Sequence, residues 1–261
     1  MLFVFDLDGV IYRGNQPAPC AAQTVAEIRK SGHLVFFLTN NSAKTRIQYA
    51  QKLAEMQIKA SPEEIMTSAY ATALYLKENG FDGATAFVIG EEGLFAELSS
   101  IGVAFAEPSE DCRADVVVVG IDRSINYLKL KSAQQAILHG ARFIATNRDA
   151  TYPLENGRVE PGAGSIVAAV EVASGVSPIV IGKPETYSLE KILGLTGSKP
   201  EETVVVGDRI DTDVAMGKTA GVKTVLTLTG VTSREDVLKL PPHLMPNLIL
   251  EDLCHLIQSL F

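Results

Sequence analysis

Apolar residues in this chain gather into short uninterrupted runs, separated by longer stretches in which they recur every three or four positions. The clearest runs are residues 2–5, 34–38, 116–119, 179–181 and 203–206, rich in Val, Ile, Leu and Phe. Short apolar runs without polar alternation predict strands covered on both faces, as in a parallel sheet. Between them the spacing predicts amphipathic helices. Residues 21–30 stop at Gly32, residues 163–174 stop at Gly175, and residues 44–56 place Ile47, Ala50, Leu53 and Ala54 on one face. The strand-helix-strand rhythm predicts an α/β fold with a mostly parallel sheet. Leu240-Pro241-Pro242 marks a turn before a last strand (247–250) and helix (251–260). No repeat and no low-complexity linker is visible. Gly80 with Gly83, and residues 175–178, are the candidate points where the chain crosses into and out of an inserted unit.

Four runs end in polar residues. Residues 2–5 lead into Asp6-Leu7-Asp8-Gly9, residues 34–38 into Thr39-Asn40-Asn41-Ser42, residues 179–181 into Gly182-Lys183-Pro184, and residues 203–206 into Gly207-Asp208, with Asp211 and Asp213 close behind. Ligand sites of open parallel sheets lie just beyond the carboxyl ends of the strands. If these four strands are neighbours, their polar groups converge on one crevice.

Asp6 and Asp8 are separated by one residue where a strand gives way to a loop. Departure from extension there lets one carboxylate face metal and phosphorus while the other faces a leaving group. Asp208 adds a third carboxylate. Such groups raise one another's pKa unless a cation sits among them, and an all-oxygen donor set suits Mg2+. A carboxylate is also the nucleophile of aspartyl-phosphate chemistry. Lys183 is a compact charge suited to phosphate and to keeping such an Asp ionised. Thr39, Asn40 and Asn41 offer a hydroxyl, amides and main-chain N–H groups for phosphate oxygens. These are the parts phosphoryl transfer needs.

Each piece also has an ordinary structural reading. Asp-x-Asp-Gly is common in turns, and the calcium-loop reading fails for want of the further ligand spacing and the closing Glu. Thr39 to Ser42 also suit a strand end and a helix cap. Lys183 before proline also suits a solvated loop, and the acids after Gly207 suit a helix N-terminus. Their joint occurrence at strand ends, in this order, favours chemistry. Gly162-Ala163-Gly164-Ser165 lacks the glycines of a dinucleotide fingerprint and the Lys of a P-loop, and reads as the start of a helix. Glu235-Asp236 and Glu251-Asp252 read as solvated first helical turns.

Composition adds exclusions. The 261 residues carry 23 Lys and Arg against 31 Asp and Glu, a formal net charge of −8. Such an acidic balance argues against nucleic acid polymers as partners, because duplex affinity comes from neutralising phosphates. It does not exclude a phosphorylated metabolite, because a divalent cation and Lys183 reverse the sign locally. Length and an apolar share of 46% allow one large or two small domains with a sizeable core. Cys20, Cys112 and Cys254 are far apart and odd in number, which predicts no disulfide framework and a reducing compartment. His33, His139, His243 and His255 lack zinc spacing. No apolar stretch is long enough to span a membrane, and Met1 to Phe5 meets Asp6 without the basic start of a signal peptide. The expectation is a cytoplasmic protein with no membrane partner.

Asp6-Leu7-Asp8-Gly9, Thr39-Asn40, Lys183-Pro184 and Gly207-Asp208-Arg209-Ile210-Asp211-Thr212-Asp213 resemble, in order, the four motifs of the haloacid dehalogenase-like phosphohydrolase superfamily. The likeness spans nearly the whole chain. Residues 6–12, 39–42, 145–149, 161–165 and 206–209 resemble the branch containing NagD-type nucleotidases, 4-nitrophenylphosphatases, phosphoglycolate phosphatase and pyridoxal phosphate phosphatase. The resemblance implies a Rossmannoid three-layer core at residues 1–79 and 179–261, with a type C2 α/β cap inserted at 80–178. It implies that Asp6 attacks phosphorus and that Asp8 is the general acid and base. It implies Mg2+ held by the Asp6 side chain, the Asp8 main-chain carbonyl and Asp208, with Asp211 and Asp213 orienting metal-bound waters. Thr39, Asn40, Asn41 and Lys183 would bind the transferring phosphate. Such a cap reads the leaving group, and Asn147-Arg148-Asp149, after the apolar run 143–146, is the candidate cap loop; it reads equally well as a surface turn. A homodimer through the cap is compatible with the resemblance.

The leading expectation is a Mg2+-dependent phosphatase acting on a small phosphorylated metabolite through an aspartyl-phosphate on Asp6. A phosphomutase or phosphotransferase of the same superfamily uses the same groups. A phospho-Asp signalling module of the receiver type is a third reading, although such modules are much shorter and lack a second acid at the position of Asp8.

Overall fold

The computed structural model describes residues 1–153 and 159–260. The chain begins with β1 (Leu2–Asp6), a small hairpin β2 (Tyr12–Arg13) and β3 (Gln16–Pro17), α1 (Ala21–Lys30), β4 (Leu34–Thr39), α2 (Arg46–Glu55), β5 (Ile65–Thr67) and α3 (Ser68–Glu78). It continues through β6 (Thr85–Ile89), α4 (Glu92–Ser99), β7 (Ala104–Phe105), β8 (Val116–Val119), α5 (Tyr127–Leu138) and β9 (Arg142–Ala145). A second hairpin, β10 (Thr151–Pro153) with β11 (Val159–Pro161), precedes α6 (Ala163–Ser174) and β12 (Ile179–Val180). The remainder is α7 (Tyr187–Thr196), β13 (Thr203–Gly207), a π-helical turn at Ile210–Val214 running into α8 (Ala215–Thr219), β14 (Lys223–Thr227), α9 (Arg234–Val237), β15 (Leu248–Leu250) and α10 (Leu256–Leu260).

Among the described residues, the larger sheet has six parallel strands in the order β15-β14-β13-β1-β4-β5. The second, also parallel, has the order β12-β9-β8-β6-β7. The predicted α/β class is what the chain adopts. Side chains alternate across each strand, so one sequence run feeds two cores. On β1, Phe3 and Phe5 pack with Val25 and Ile28 of α1 and Tyr49 and Leu53 of α2. Leu2 and Val4 face the other way, into a cluster with Ala69 and Leu76 of α3 and Ile192 of α7. That cluster continues without a break to Val88, Val118 and Ile144 of the second sheet. The two sheets therefore share apolar core, which is why no linker-like composition marks the crossing points. Each such fully buried Leu or Phe is worth about 1.5–3 kcal/mol of transfer free energy. On its other face the second sheet is covered by α5 and α6.

Local signals account for the helix ends. Thr45 and Gln48 form a capping box at the start of α2, and Gly175, in the left-handed conformation at φ 71°, ends α6. Three expectations need correction. The buried face of α2 is Tyr49 and Leu53, whereas Ile47 is exposed, because the Tyr49 ring, four positions before Leu53, packs with Phe5 of β1 and Phe37 of β4. The run at 179–181 does not join the strands of the other three motifs. Ile179–Val180 pairs with β9 at the edge of the second sheet, and the chain returns from there to the larger sheet. Finally, Cys20 and Cys254 form a disulfide with a Cα–Cα distance of 5.1 Å. A separation of 234 residues said nothing against it, because the start of α1 folds against the turn before α10, where Thr24 donates to the Leu253 carbonyl. The reducing-compartment inference loses its ground. Among the described residues no helix is long and apolar enough to cross a membrane.

Candidate active site

β1 lies between β13 and β4, so three of the four polar strand ends are adjacent by register: Phe5 pairs with Val206 and Asp6 with Leu38. Lys183 arrives from the second sheet. Its Nζ sits 2.5 Å from Asp6 Oδ1 and 2.6 Å from Asp213 Oδ1, with all three side chains buried. Beyond Asp6 the chain turns back at once. The N–H groups of Ile11 and Tyr12 donate to the Leu7 carbonyl, and Gly9 at φ 97° allows the turn. Asp8 thereby faces the same pocket as Asp6. Tyr12 donates from its hydroxyl to Asp8 Oδ2 at 3.3 Å, and the Lys52 ammonium stands 3.5 Å from the Tyr12 ring centroid.

Asp6, Asp208 and Asp213 each present an oxygen within 4.8 Å of the others. Burial drives Asp6 well above the ordinary carboxylate range; Lys183 opposes this, and Asp213 and Asp208 add to it. Burial together with the Asp213 charge pushes Asp208 up to about 7. Burial also raises Asp8, against Lys52 and the Tyr12 hydrogen bond. Burial on its own would lower Lys183, but Asp213 and Asp6 hold it well above its usual value and firmly charged. Lys183 thus compensates two carboxylates out of three. Asp208 Oδ2 accepts from the Val231 N–H at 2.6 Å, whereas Asp208 Oδ1 is buried with no hydrogen-bond partner. An unpartnered buried carboxylate oxygen beside two further buried carboxylates is a donor set that suits a hard cation. Asp6 and Asp208 fit Mg2+ on this test, with Asp213 at hand.

The structure sorts the remaining candidates. Thr39 and Asn41 line the pocket; the Thr39 hydroxyl accepts from the Asn41 N–H at 3.1 Å, and Asn41 Oδ1 from the Ala43 N–H at 2.9 Å. Asn40 also borders the pocket, but its amide is tied to the Lys183 main chain and to Asp149. Asp211 is not brought into the cluster. It pairs with Arg209 at 2.9 Å at the surface, and against a partial loss of solvent that partner keeps its carboxyl low. Asp213 is closer than a supporting role required, and its Oδ2 also accepts from the Arg209 N–H. Of the loop 147–149, Asn147 and Asp149 reach the pocket, while Arg148 turns outward to pair with Glu171 at 2.9 Å. Burial raises Asp149, with Arg209 and Lys183 opposing. More wall comes from Ile121 after β8, Tyr152 of the second hairpin and the α6 start at Gly162 and Ala163. The pocket thus lies between the carboxyl ends of both sheets.

Tyr12, Tyr152 and Gly230, where Asp208 leaves no room for a side chain, escaped the sequence reading. Tyr12 stands in the stretch 6–12 that carried the resemblance, but no spacing rule tied its hydroxyl to Asp8. Gly230 and Tyr152 carry no local signal.

Residues 3–104 match the profile of haloacid dehalogenase-like hydrolases, and residues 180–256 that of HAD-hydrolase-like proteins. The chain is 40% identical over 235 residues to an acid sugar phosphatase of Staphylococcus epidermidis, covering 90% of this chain and 89% of that one. It is 40% identical over 249 residues to the 5'-nucleotidase YutF of Bacillus subtilis, covering 94% and 95%. Among solved structures it is similar to the hypothetical protein PH1952 of Pyrococcus horikoshii, with TM-score 0.90, 41% identity and all of both chains covered. The p-nitrophenyl phosphatase of Archaeoglobus fulgidus superposes with TM-score 0.89 at 34% identity, over 99% and 98% of the chains. The glycerol phosphate phosphatase Rv1692 of Mycobacterium tuberculosis, in complex with magnesium, gives 0.88 at 33%, over 97% and 74%. With matching strand-end motifs, two matching family profiles and relatives of this identity along the whole fold, the chain belongs to the haloacid dehalogenase-like hydrolases, in the NagD and 4-nitrophenylphosphatase branch.

Proposed function

We propose that this chain is a Mg2+-dependent phosphatase that hydrolyses a small phosphorylated metabolite through a phosphoryl group carried on Asp6, with a core at 1–79 and 179–261 and a cap at 80–178 whose sheet takes its edge strand from Ile179–Val180. The observation that carries this reading is the buried lysine between Asp6 and Asp213, beside an Asp208 oxygen with no partner. The relatives' names, a sugar phosphatase, a nucleotidase and a magnesium-bound glycerol phosphate phosphatase, support the reaction class and the cation.

In the first step an Asp6 carboxylate oxygen forms a bond to phosphorus while the ester P–O bond breaks. Asp8, raised by burial and aimed by Tyr12, gives its proton to the leaving oxygen. In the second step the Asp8 carboxylate takes a proton from a water that attacks the same phosphorus, releasing phosphate and restoring Asp6. Lys183, Thr39 and Asn41 hold the phosphate oxygens. Asp6, the Asp8 carbonyl and Asp208 would hold Mg2+, which when bound neutralises the charge gathered on carboxylates and phosphate. Replacing Asp6 by Asn should lower phosphate release from 4-nitrophenyl phosphate by about 1,000-fold or more at saturating Mg2+. Undiminished turnover by that variant overturns the proposal.

A further inference from the structure

Asn40 belongs to a motif expected to bind phosphate, yet its side chain has no donor left to offer. Its Nδ2 donates to the Lys183 carbonyl at 3.0 Å and to the Asp149 carboxylate at 3.1 and 3.2 Å. Its Oδ1 accepts from the Lys183 N–H at 2.8 Å. Both amide hydrogens are spent, and an oxygen lone pair repels an anion. Three loops meet at this amide, those after β4, β9 and β12, and close packing holds them. A Cβ on Gly182 would stand 2.6 Å from Asn40 Oδ1 and 2.5 Å from the Thr146 carbonyl. From the second sheet Asn147 Nδ2 donates to the Asn40 carbonyl at 2.7 Å, while Asn147 Oδ1 accepts from the Asp149 N–H at 3.0 Å. Both groups of the Lys183 main chain therefore hang on Asn40, and Asn40 is held from its far side by Asp149.

We propose that Asp149, set by Asn147, is a positioning residue that pins the Asn40 amide and through it the backbone of Lys183, so that seating of the second sheet on the Thr39–Asn41 loop is a condition for placing the Lys183 ammonium. The proposal rests on the phosphatase reading and assigns residues 147 and 149 a task other than reading the leaving group. A leaving-group contact weakens some substrates and spares others. A group that places Lys183 acts on the phosphoryl end, which every substrate shares.

The test uses the full-length protein with Asp149→Ala, Asp149→Asn, Asn40→Ala and the double variant Asn40→Ala/Asp149→Ala. Turnover is read on 4-nitrophenyl phosphate, glycerol phosphate and a nucleoside 5'-monophosphate, and affinity for inorganic phosphate by calorimetry at saturating Mg2+. Misplacement by about 1 Å costs on the order of 100-fold. Asp149→Ala should lower kcat by roughly 10- to 100-fold, by a similar factor on all three esters, and weaken inorganic phosphate. Asp149→Asn, which keeps an acceptor oxygen and the fold, should recover most of this. The double variant should lose no more than Asn40→Ala alone, because the two residues act in series. Losses that depend on the leaving group with inorganic phosphate unaffected, or multiplying losses in the double variant, would overturn the proposal. Phosphate affinity needs no turnover, so this failure is distinguishable from failure of the phosphatase reading, which would show as no ester hydrolysis by the unmodified protein.

Discussion

The Asp208 carboxylate occupies the space that a side chain at Gly230 would fill: an ideal Cβ there would stand 1.8 Å from Asp208 Oδ2. A Cβ at Gly9 would meet the same oxygen at 2.4 Å, and the Val231 N–H fixes Oδ2. Two glycines and one N–H therefore confine the carboxylate whose Oδ1 is unpartnered, beside Asp6 and Asp213. Gly230→Ala must push Asp208 aside, since the neighbour it meets is a clamped carboxylate. Supporting groups of a metal ligand are typically worth 10- to 100-fold in affinity. The Mg2+ concentration for half-maximal activity should rise by about 10-fold or more, with saturating Mg2+ restoring much of the rate. An unchanged Mg2+ dependence in this variant would count against Asp208 as a ligand.

The raised carboxyls give metal-free protein an unusual pH dependence. Asp208 keeps its proton up to about pH 7 in the fold, whereas an unfolded Asp releases it near 4. Between these values the folded state binds more protons than the unfolded one, so stability falls as pH rises through this window and levels off above it. For a shift of about three units the contribution is of order 4 kcal/mol, and Asp6 acts in the same direction. Mg2+ replaces the proton, so its stabilising effect should be small near pH 5 and large above pH 7. Thermal melts from pH 5 to 8, in EDTA and in Mg2+, measure this. The deficit of unmodified protein relative to Asp208→Asn in EDTA should grow with pH; a deficit independent of pH would refute the assignment.

Residues 21–30, 116–119 and 163–174 are legible to the residue, because a glycine stop after each helix and an unbroken valine run leave little freedom. Thr85–Ile89 and Lys223–Thr227 went unread, since each opens on polar or small residues that dilute the apolar run. The convergence of Asp6, Asp8 and Asp208 on one pocket is legible from strand-end position, whereas Lys183 reaches it from the edge of the other sheet. The engagement of Asn40 is not legible, because it depends on Asp149, more than a hundred residues away, and on a second sheet whose seating no local pattern encodes. The same limit hid the disulfide.

That disulfide closes a loop of 234 residues between the start of α1 and the turn before α10. In the chain-entropy account a loop this long is worth about 5 kcal/mol. For a chain of this size that corresponds to a Tm change of roughly ten degrees. Cys254→Ser, or reduction of the native protein, should lower Tm by about that much. Neither cysteine lines the pocket, so kcat at 25 °C should stay within about two-fold. Equal melting temperatures with and without reductant would show that the bond contributes nothing to stability.

Tyr152 forms part of the pocket wall because its hydroxyl is held from the rim. Arg123 donates to it from Nε at 3.1 Å and Nη2 at 3.0 Å, and Nη1 pairs with Glu91 at 2.6 Å. The phenol in turn donates to Glu160 on the facing strand. Lysine cannot reproduce a planar fork that serves a phenol and a carboxylate together, so Arg123→Lys should loosen the ring while keeping the charge. The Arg123–Glu91 pair is half exposed and contributes no more than about 1 kcal/mol to stability, so Tm should hardly move. With that wall loosened, a bulky leaving group gains relative to a compact one. The ratio of kcat/KM for a nucleoside 5'-monophosphate over glycerol phosphate should rise by about 10-fold, through KM, with inorganic phosphate affinity unchanged. That pattern is the opposite of the one expected for Asp149, whose loss should scale all esters together. Parallel changes in both esters would show that Tyr152 and its arginine do not shape the choice of leaving group.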